Sequence, residues 1–393
     1  MASTYRLTSD HDREAFYQLY QYAFNNQDSP QRRPFFMDRY QHGWIYGLHD
    51  YGQLVSGLYS LPLAVNFHGV TYPMNGIGDV MTAPEYAGQG GAGKLLTAAL
   101  TEMAEKRVPL SYLAPFAYGY YRRFGYEHVF NRSQQVIAAT ALPRVKISDA
   151  SGSVTRYGNE GLALIKHFYT AHPRNHRGGL VRPDWWWHYL TLKHTWSVAI
   201  YRNAAQVIEG YLIYDRQATT FAIQDWATST ATAFNRLANF VTKHATTFQQ
   251  FSYTAPDAEN EFALLADPYS LDVHVEPYMM ARIVLLHDFL ARYPFRQDFD
   301  SLRLAISDPL LLTNQGIWAI SRRNGRLTCN RVSAELTGAS DLQLTIQQLT
   351  KAVFGTQSLT HALAHGQLSG SQDAAQVLDQ ALVNTPPALL DYF

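Results

Sequence analysis

The chain has 393 residues, too long for one ordinary core and sized for two or three domains. Lysine plus arginine and aspartate plus glutamate both number 32, which excludes a net basic field that would recruit nucleic acid, and no acidic tail is present. Apolar residues make up 47% and charged residues 16%, a composition that excludes disorder and suits a folded protein with subunit contacts.

The lone cysteine, Cys329, rules out an intrachain disulfide and points to a reducing compartment. The N-terminal segment lacks a charged region followed by an apolar one. No run reaches the roughly 18 apolar residues of a membrane span, so a soluble, cytoplasmic protein is expected.

Asp10, His11 and Asp12 are expected to cap a helix running to Asn25, with Phe16, Leu19, Tyr20 and Ala23 on its core face. Strands are predicted over 44–48, 54–59 and 63–67, divided by the turn residues Asp50-Tyr51-Gly52, Ser60-Leu61-Pro62 and His68-Gly69. They form an antiparallel meander. A buried strand over 77–81 follows, then a turn dense in glycine over 88–93. Leu95, Leu96, Ala99, Leu100 and Met103 recur at helical spacing after it. A further strand leads to an aromatic loop ending Tyr121-Arg122-Arg123-Phe124-Gly125-Tyr126. Glycines between a strand and a helix start leave N–H groups bare at a positive helix end, which holds a phosphate or pyrophosphate.

Near 143–158, Ser148, Asp149, Ser151, Gly152 and Ser153 suggest a linker or hairpin. Beyond it come a helix over 162–169, a helix from Pro183-Asp184-Trp185, strands over 197–201, 207–214 and 220–226, and a helix over 231–246. The order echoes the first unit without a second glycine turn, as a duplicated fold that lost its cofactor loop would. A third unit begins near Tyr278, with a strand over 280–286, a helix over 288–293, strands over 302–307 and 316–321 and a helix over 346–354. The aromatic end at Tyr392 and Phe393 suggests a tied-down terminus.

Residues 88–94 satisfy Gly-x-x-x-x-Gly-Lys, but Leu95 stands where a P-loop hydroxyl would bind magnesium, which argues against an NTPase. The whole stretch from strand to aromatic loop instead resembles the acetyl-CoA site of the GNAT acetyltransferases. Gly90 and Ala92 fall on that motif's small positions, while Ala87 replaces the usual Arg or Gln, leaving Lys94 or Gln89 as a substitute donor. With a second unit lacking the loop and a chain ending in Phe, the layout resembles the enhanced-intracellular-survival (Eis) family of N-acetyltransferases.

That resemblance implies a mixed α/β (α+β) chain of two tandem GNAT-like domains, 1–145 and 146–277, and a sterol-carrier-protein-like domain, 278–393. It implies a hexamer, acetyl-CoA as cosubstrate without metal, and a small-molecule or peptide amine as acceptor. Acetyl-CoA would be held by Val80, Met81, Thr82, Ala87, Gly88, Gln89, Gly90, Gly91 and Ala92. The general acid would be Tyr121, with Tyr120 as its rival, and the general base the terminal carboxylate of Phe393. Tyr392 replaces the acidic residue that family members acting on aminoglycosides carry before the last Phe, so amines are implied as a class and aminoglycosides are not. Asp28, Glu85 and Asp391 are candidates for attracting a cationic acceptor.

Other features favour structural roles. His172/His176 and His361/His365 have i, i+4 spacing without a metalloprotease Glu, and Trp185, Trp186 and Trp187 suit core packing better than an amine site. A hydrophobic-ligand carrier and a catalytically silent acyl-CoA sensor are the alternatives to an enzyme.

Overall fold

The computed structural model describes residues 5–143, 145, 147, 151–257 and 267–393. They form two compact units: Met1–Phe130 with Tyr278–Pro387 and Tyr392–Phe393, and Asn131–Pro277 with Ala388–Asp391.

The cap of helix α1 (Asp10–Ala23) is Ser9, not the acidic cluster after it: Ser9 Oγ accepts the Asp12 N–H, and the Asp12 carboxylate accepts the Ser9 N–H. Helix α2 (Arg32–Gln41) has no counterpart among the sequence expectations. Pro34 looks like a breaker, yet it occupies the third helical position, where no intrahelical N–H is needed. Strands β1 (Trp44–Asp50), β2 (Gln53–Phe67) and β3 (Val70–Thr82) form an antiparallel meander, but its members differ from those expected: 54–59 and 63–67 are one strand, and the third is the 77–81 strand extended back to Val70. Ser60-Leu61-Pro62 is no turn, because β2 runs straight through it. Trp44↔Ser60 is the last pair with β1, so Pro62 falls where β1 requires no N–H.

Helix α3 (Gly91–Glu105) buries Leu95, Leu96, Ala99, Leu100 and Met103. Strand β4 (Leu110–Leu113) then pairs parallel with β3. The expected aromatic loop is partly a one-turn helix, α4 (Tyr118–Arg122), closed by N–H bonds from Tyr120 and Tyr121 to the Ala117 carbonyl.

The second unit contains the 133–138 part of β5 (Glu127–Ala138), then β6 (Ser153–Tyr157), α5 (Gly161–Ala171), β7 (Arg177–Leu180), α6 (Asp184–Lys193), β8 (Ser197–Arg202), β9 (Ile208–Arg216), β10 (Thr220–Thr228), α7 (Ala231–Thr242) and β11 (Gln250–Ala255). Ser148 and Asp149 lie outside the described residues, while Ser153 opens a strand and not a linker. Sheet order is β6-β8-β9-β10-β11-β5, with β10 and β11 parallel. This repeats the strand and helix sequence of β1 to β4. The parallel pairing ends at Ile77↔Leu113 in one unit and Ile223↔Tyr253 in the other, and each leading strand then runs on to a threonine, Thr82 or Thr228. The connections differ: residues 83–90 lead to α3, but only Ser229 and Thr230 lead to α7.

Strand β12 (Leu271–Ile283) brings residues 280–283 antiparallel to β4. It stops at Ile283, short of the expected 286: the Val284 N–H still reaches the Pro109 carbonyl in register, but the Leu286 N–H is taken by Asn314 Oδ1. Helix α8 (Leu286–Leu290) starts there. A separate five-stranded sheet follows, built from β13 (Phe299–Ser307), β14 (Gly316–Arg323), β15 (Arg326–Ser333) and β16 (Leu342–Thr345), then helices α9 (Ile346–Val353) and α10 (Leu359–Ala364), strand β17 (Ser369–Gly370) and helix α11 (Gln372–Ala381), in the order β15-β14-β13-β16-β17.

The fully buried Arg282 of β12 joins this last part of the chain to the turn after α4. Its guanidinium donates to both oxygens of Asp308, at 2.9 and 2.8 Å, and to the Phe124 carbonyl. It also fills the space beside Gly125, whose φ of 82° already favours glycine. Asp308→Ala would strand that buried cation. The expected loss of stability is about 3–5 kcal/mol by chemical denaturation, the usual result of removing one partner of a buried pair. A loss under about 1 kcal/mol would show that the pair carries little.

Candidate active site

Beyond Ile77 the edge of β3 that faced β4 loses its partner, and the strand continues through Val80, Met81 and Thr82. Such an opened parallel pair presents main-chain groups to a ligand. Ser56, fully buried on β2, fixes the end of this strand. Its hydroxyl donates to the Met81 carbonyl at 2.9 Å, lies 2.8 Å from Thr82 Oγ1 and packs on Gly91 at the helix start.

The glycine turn leads directly into α3. Gly88 and Gly90 have φ of 79° and 82°, and a side chain on either would point into open space. The amides of Ala87 and Gln89 bond back to Pro84 and Tyr86. Lys94 is the first residue whose N–H bonds into the helix, to Gly90, and no side chain caps the end. Gly91, Ala92 and Gly93 therefore precede the first helical bond at the positive end of a four-turn helix, which suits a pyrophosphate. Gln89 Nε2 is held by the Glu85 carbonyl, and Lys94 is exposed on the first turn.

Tyr121, on α4, is 2% exposed and packs in one core cluster with Ile77 of β3 and Leu95 and Leu96 of α3, against which Val80 also packs. Its ring meets those of Phe116 and Tyr120 edge-on, at 5.4 and 5.1 Å. Burial, reinforced by the Tyr120, Tyr126 and Tyr392 hydroxyls, holds its phenol far above the ordinary tyrosine value. Among the described residues its hydroxyl has no hydrogen-bond partner. Behind it, Tyr126 Oη is 2.7 Å from Ser111 Oγ, which bonds the Asn75 carbonyl. Tyr120 instead faces α3: its hydroxyl approaches Gly93, and Arg123 stacks on its ring at 4.9 Å.

Phe393 reaches the same region from the end of the chain. It is 3% exposed, and its ring lies against Gly76, so that a Cβ there would come within 2.6 Å of the ring. Gly76 immediately precedes the last β3–β4 pair. Neighbouring Tyr392 is half exposed and packs near Tyr278.

Of the acidic candidates, Asp391 is corrected. Its carboxylate is buried in the second unit, paired with Arg182 Nε at 2.8 Å and receiving Trp186 Nε1 at 2.7 Å and the Tyr169 hydroxyl at 3.2 Å, so it has no charge to offer an acceptor. Asp28 is half exposed and accepts the Tyr17 hydroxyl, and Glu85 is exposed. Trp186 and Trp187 are buried and Trp185 half-buried. His172 Nε2 donates to the Thr228 carbonyl, and the His361 and His365 rings stack on each other.

In the second unit the corresponding strand edge is bridged by side chains. Arg174 donates to the Trp226 carbonyl at 2.7 Å and to Asp225 at 2.6 Å, and His172 holds the Thr228 carbonyl. The start of α7 is capped by Thr230, whose hydroxyl accepts the Ala233 N–H. Two carbonyls of this strand end and one N–H of the helix start thus have side-chain partners, whereas the start of α3 has no side-chain cap.

Sequence comparison agrees with this division. Residues 4–129 and 178–283 each match an acetyltransferase (GNAT) domain, and residues 286–390 match a sterol carrier protein domain. A probable N-acyltransferase from Enterococcus faecalis V583 is 36% identical over 98% of both chains, with a TM-score of 0.92. The chain therefore belongs to the GNAT acetyltransferases, with two GNAT domains and a C-terminal sterol carrier protein domain. A GCN5-related N-acetyltransferase from Anabaena variabilis is 22% identical over 99% of both chains, at a TM-score of 0.86. Eis1 from Mycobacterium abscessus is 18% identical over 99% of both chains, at a TM-score of 0.80, and shares the fold. No curated protein matches the sequence. No helix among the described residues is long and apolar enough to cross a membrane.

Ser56, Arg39 and Asp79 are absent from the sequence expectations. Gly76 and Gly78, two glycines on one strand face where side chains would normally pack, are the signal that could have marked a close approach there.

Proposed function

We propose that the chain is an Eis-type acetyl-CoA-dependent N-acetyltransferase acting on primary amines, cytoplasmic and hexameric, with domains 1–145, 146–277 and 278–393. One observation carries the proposal: Phe393, Tyr121 and the open end of β3 lie together in one unit although the sequence places them at distant points.

In this mechanism the Phe393 carboxylate takes a proton from the ammonium form of the acceptor, directly or through water. The freed nitrogen attacks the thioester carbonyl carbon. Main-chain N–H near Val80 receives the developing oxyanion. A C–N bond forms, the C–S bond breaks, Tyr121 gives its phenolic proton to the departing thiolate, and the acylated nitrogen releases its extra proton to solvent, leaving the neutral amide. Solvent then returns a proton to Tyr121 and accepts the one on the carboxylate. Val80, Met81 and Thr82 would hold the acyl arm, and the 88–92 turn the pyrophosphate.

The test is calorimetric titration of the full-length protein with acetyl-CoA, followed by a free-thiol release assay with polyamines, lysine peptides and aminoglycosides. One acetyl-CoA per chain is expected, because the second GNAT domain bridges its own strand edge, together with thiol release that depends on an amine. Two sites per chain, or binding without turnover of any amine, would refute it.

A further inference from the structure

The strand that ends the proposed acyl-donor site is not regular. Between the pairs Tyr59↔Gly78 and Gly57↔Met81, β3 carries one residue more than β2, so Asp79 and Val80 form a bulge. Asp79 has a φ of 46°, in the left-handed region that a side chain disfavours. Something must hold it there, and Arg39 of α2 is in place to do so.

The Arg39 guanidinium forms an ion pair with the Asp79 carboxylate, and both side chains are about nine-tenths buried. The same guanidinium lies 4.4 Å from the centre of the Tyr59 ring. Tyr59 presses its hydroxyl onto Gly78, where a Cβ would stand 2.1 Å from that oxygen. One cation thus touches both the bulged residue and the ring that covers the residue before it.

We propose that Arg39 and Asp79 are a positioning pair for the acyl-donor edge: their contact keeps Asp79 left-handed, which sets the bulge and so aims the main chain at Val80. The inference rests on the assignment of Val80, Met81 and Thr82 to acetyl-CoA. Neither residue is given a chemical step. A glycine at position 79 would adopt the same conformation unaided, which separates positioning from a merely stabilising ion pair.

Three variants of the full-length protein test this: Arg39→Met, Arg39→Met with Asp79→Gly, and Arg39→Met with Asp79→Ala. The single variant should raise Kd and KM for acetyl-CoA about tenfold while the amine KM stays within about twofold, the factor expected when a left-handed residue loses its support. The glycine double variant should return to within about threefold of the wild type, and the alanine double variant should stay about tenfold weak. Both doubles remove both charges, so they differ in backbone freedom alone. Equal Kd values for the two doubles, or a single variant indistinguishable from the wild type, would overturn the pair's role. A wild-type protein that binds no acetyl-CoA would overturn the site assignment beneath it instead.

Discussion

Tyr121→Phe is expected to lower kcat for acetyl transfer by about 10²- to 10⁴-fold, the range supplied by a positioned general acid. KM for acetyl-CoA should move little. The ring stays, so the edge-on contacts with Phe116 and Tyr120 survive, and among the described residues no hydrogen bond of the hydroxyl is lost. Burial holds this phenol above its ordinary value, so it keeps its proton below as well as at the reference pKa of about 10. The sign follows: an acid with a raised pKa remains in its donating form as pH rises, so the alkaline limb of the rate profile should show no fall from Tyr121 up to about pH 10. Tyr120→Phe should keep most of the activity, because that hydroxyl faces Gly93 and not the chain terminus. A Tyr121→Phe protein with undiminished kcat would remove the acid from the mechanism.

The second large effect concerns the end of the chain. Deleting Phe393 moves the terminal carboxylate back by one residue, about 3.5 Å, and empties the place of the ring over Gly76. A drop in kcat of at least about 10²-fold is expected. Adding one glycine after Phe393 shifts the charge but leaves the ring where it is, and should cost as much. Gly76→Ala should act from the other side, since its methyl would collide with the ring at 2.6 Å. Steady-state rates of the three variants, with thermal stability measured alongside, check this. An extended protein as active as the wild type would show that the carboxylate is not the base.

Local patterns in the sequence were enough for the strand, glycine turn and α3, because each depends on neighbours within a few positions. Helix α2 was hidden by Pro34, which is harmless only in the first turn. Ser60-Leu61-Pro62 carries turn residues, but an unbroken ladder to β3 keeps the strand extended. Asp391 looked like a free anion, and Arg182, far from it in sequence, neutralises it. The same distance concealed Arg39 and Asp79, since an ion pair between a helix and a bulge leaves no periodic trace. Family resemblance, not spacing, singled out Tyr121 and Phe393, and only the folded chain brings them into one unit.

The strand beside β4 is supplied by residues 280–283, the turn after Tyr121 is gripped by Arg282 and Asp308, and the ring over Gly76 is the last residue of the chain. The acetyltransferase domain is therefore not a portable module. No single cut would release it with its sheet, the turn after Tyr121 and the ring over Gly76 all intact. Recombination that exchanged the C-terminal domain would have to replace contacts that hold the first GNAT domain together as well, so the two are expected to be inherited and engineered as one piece.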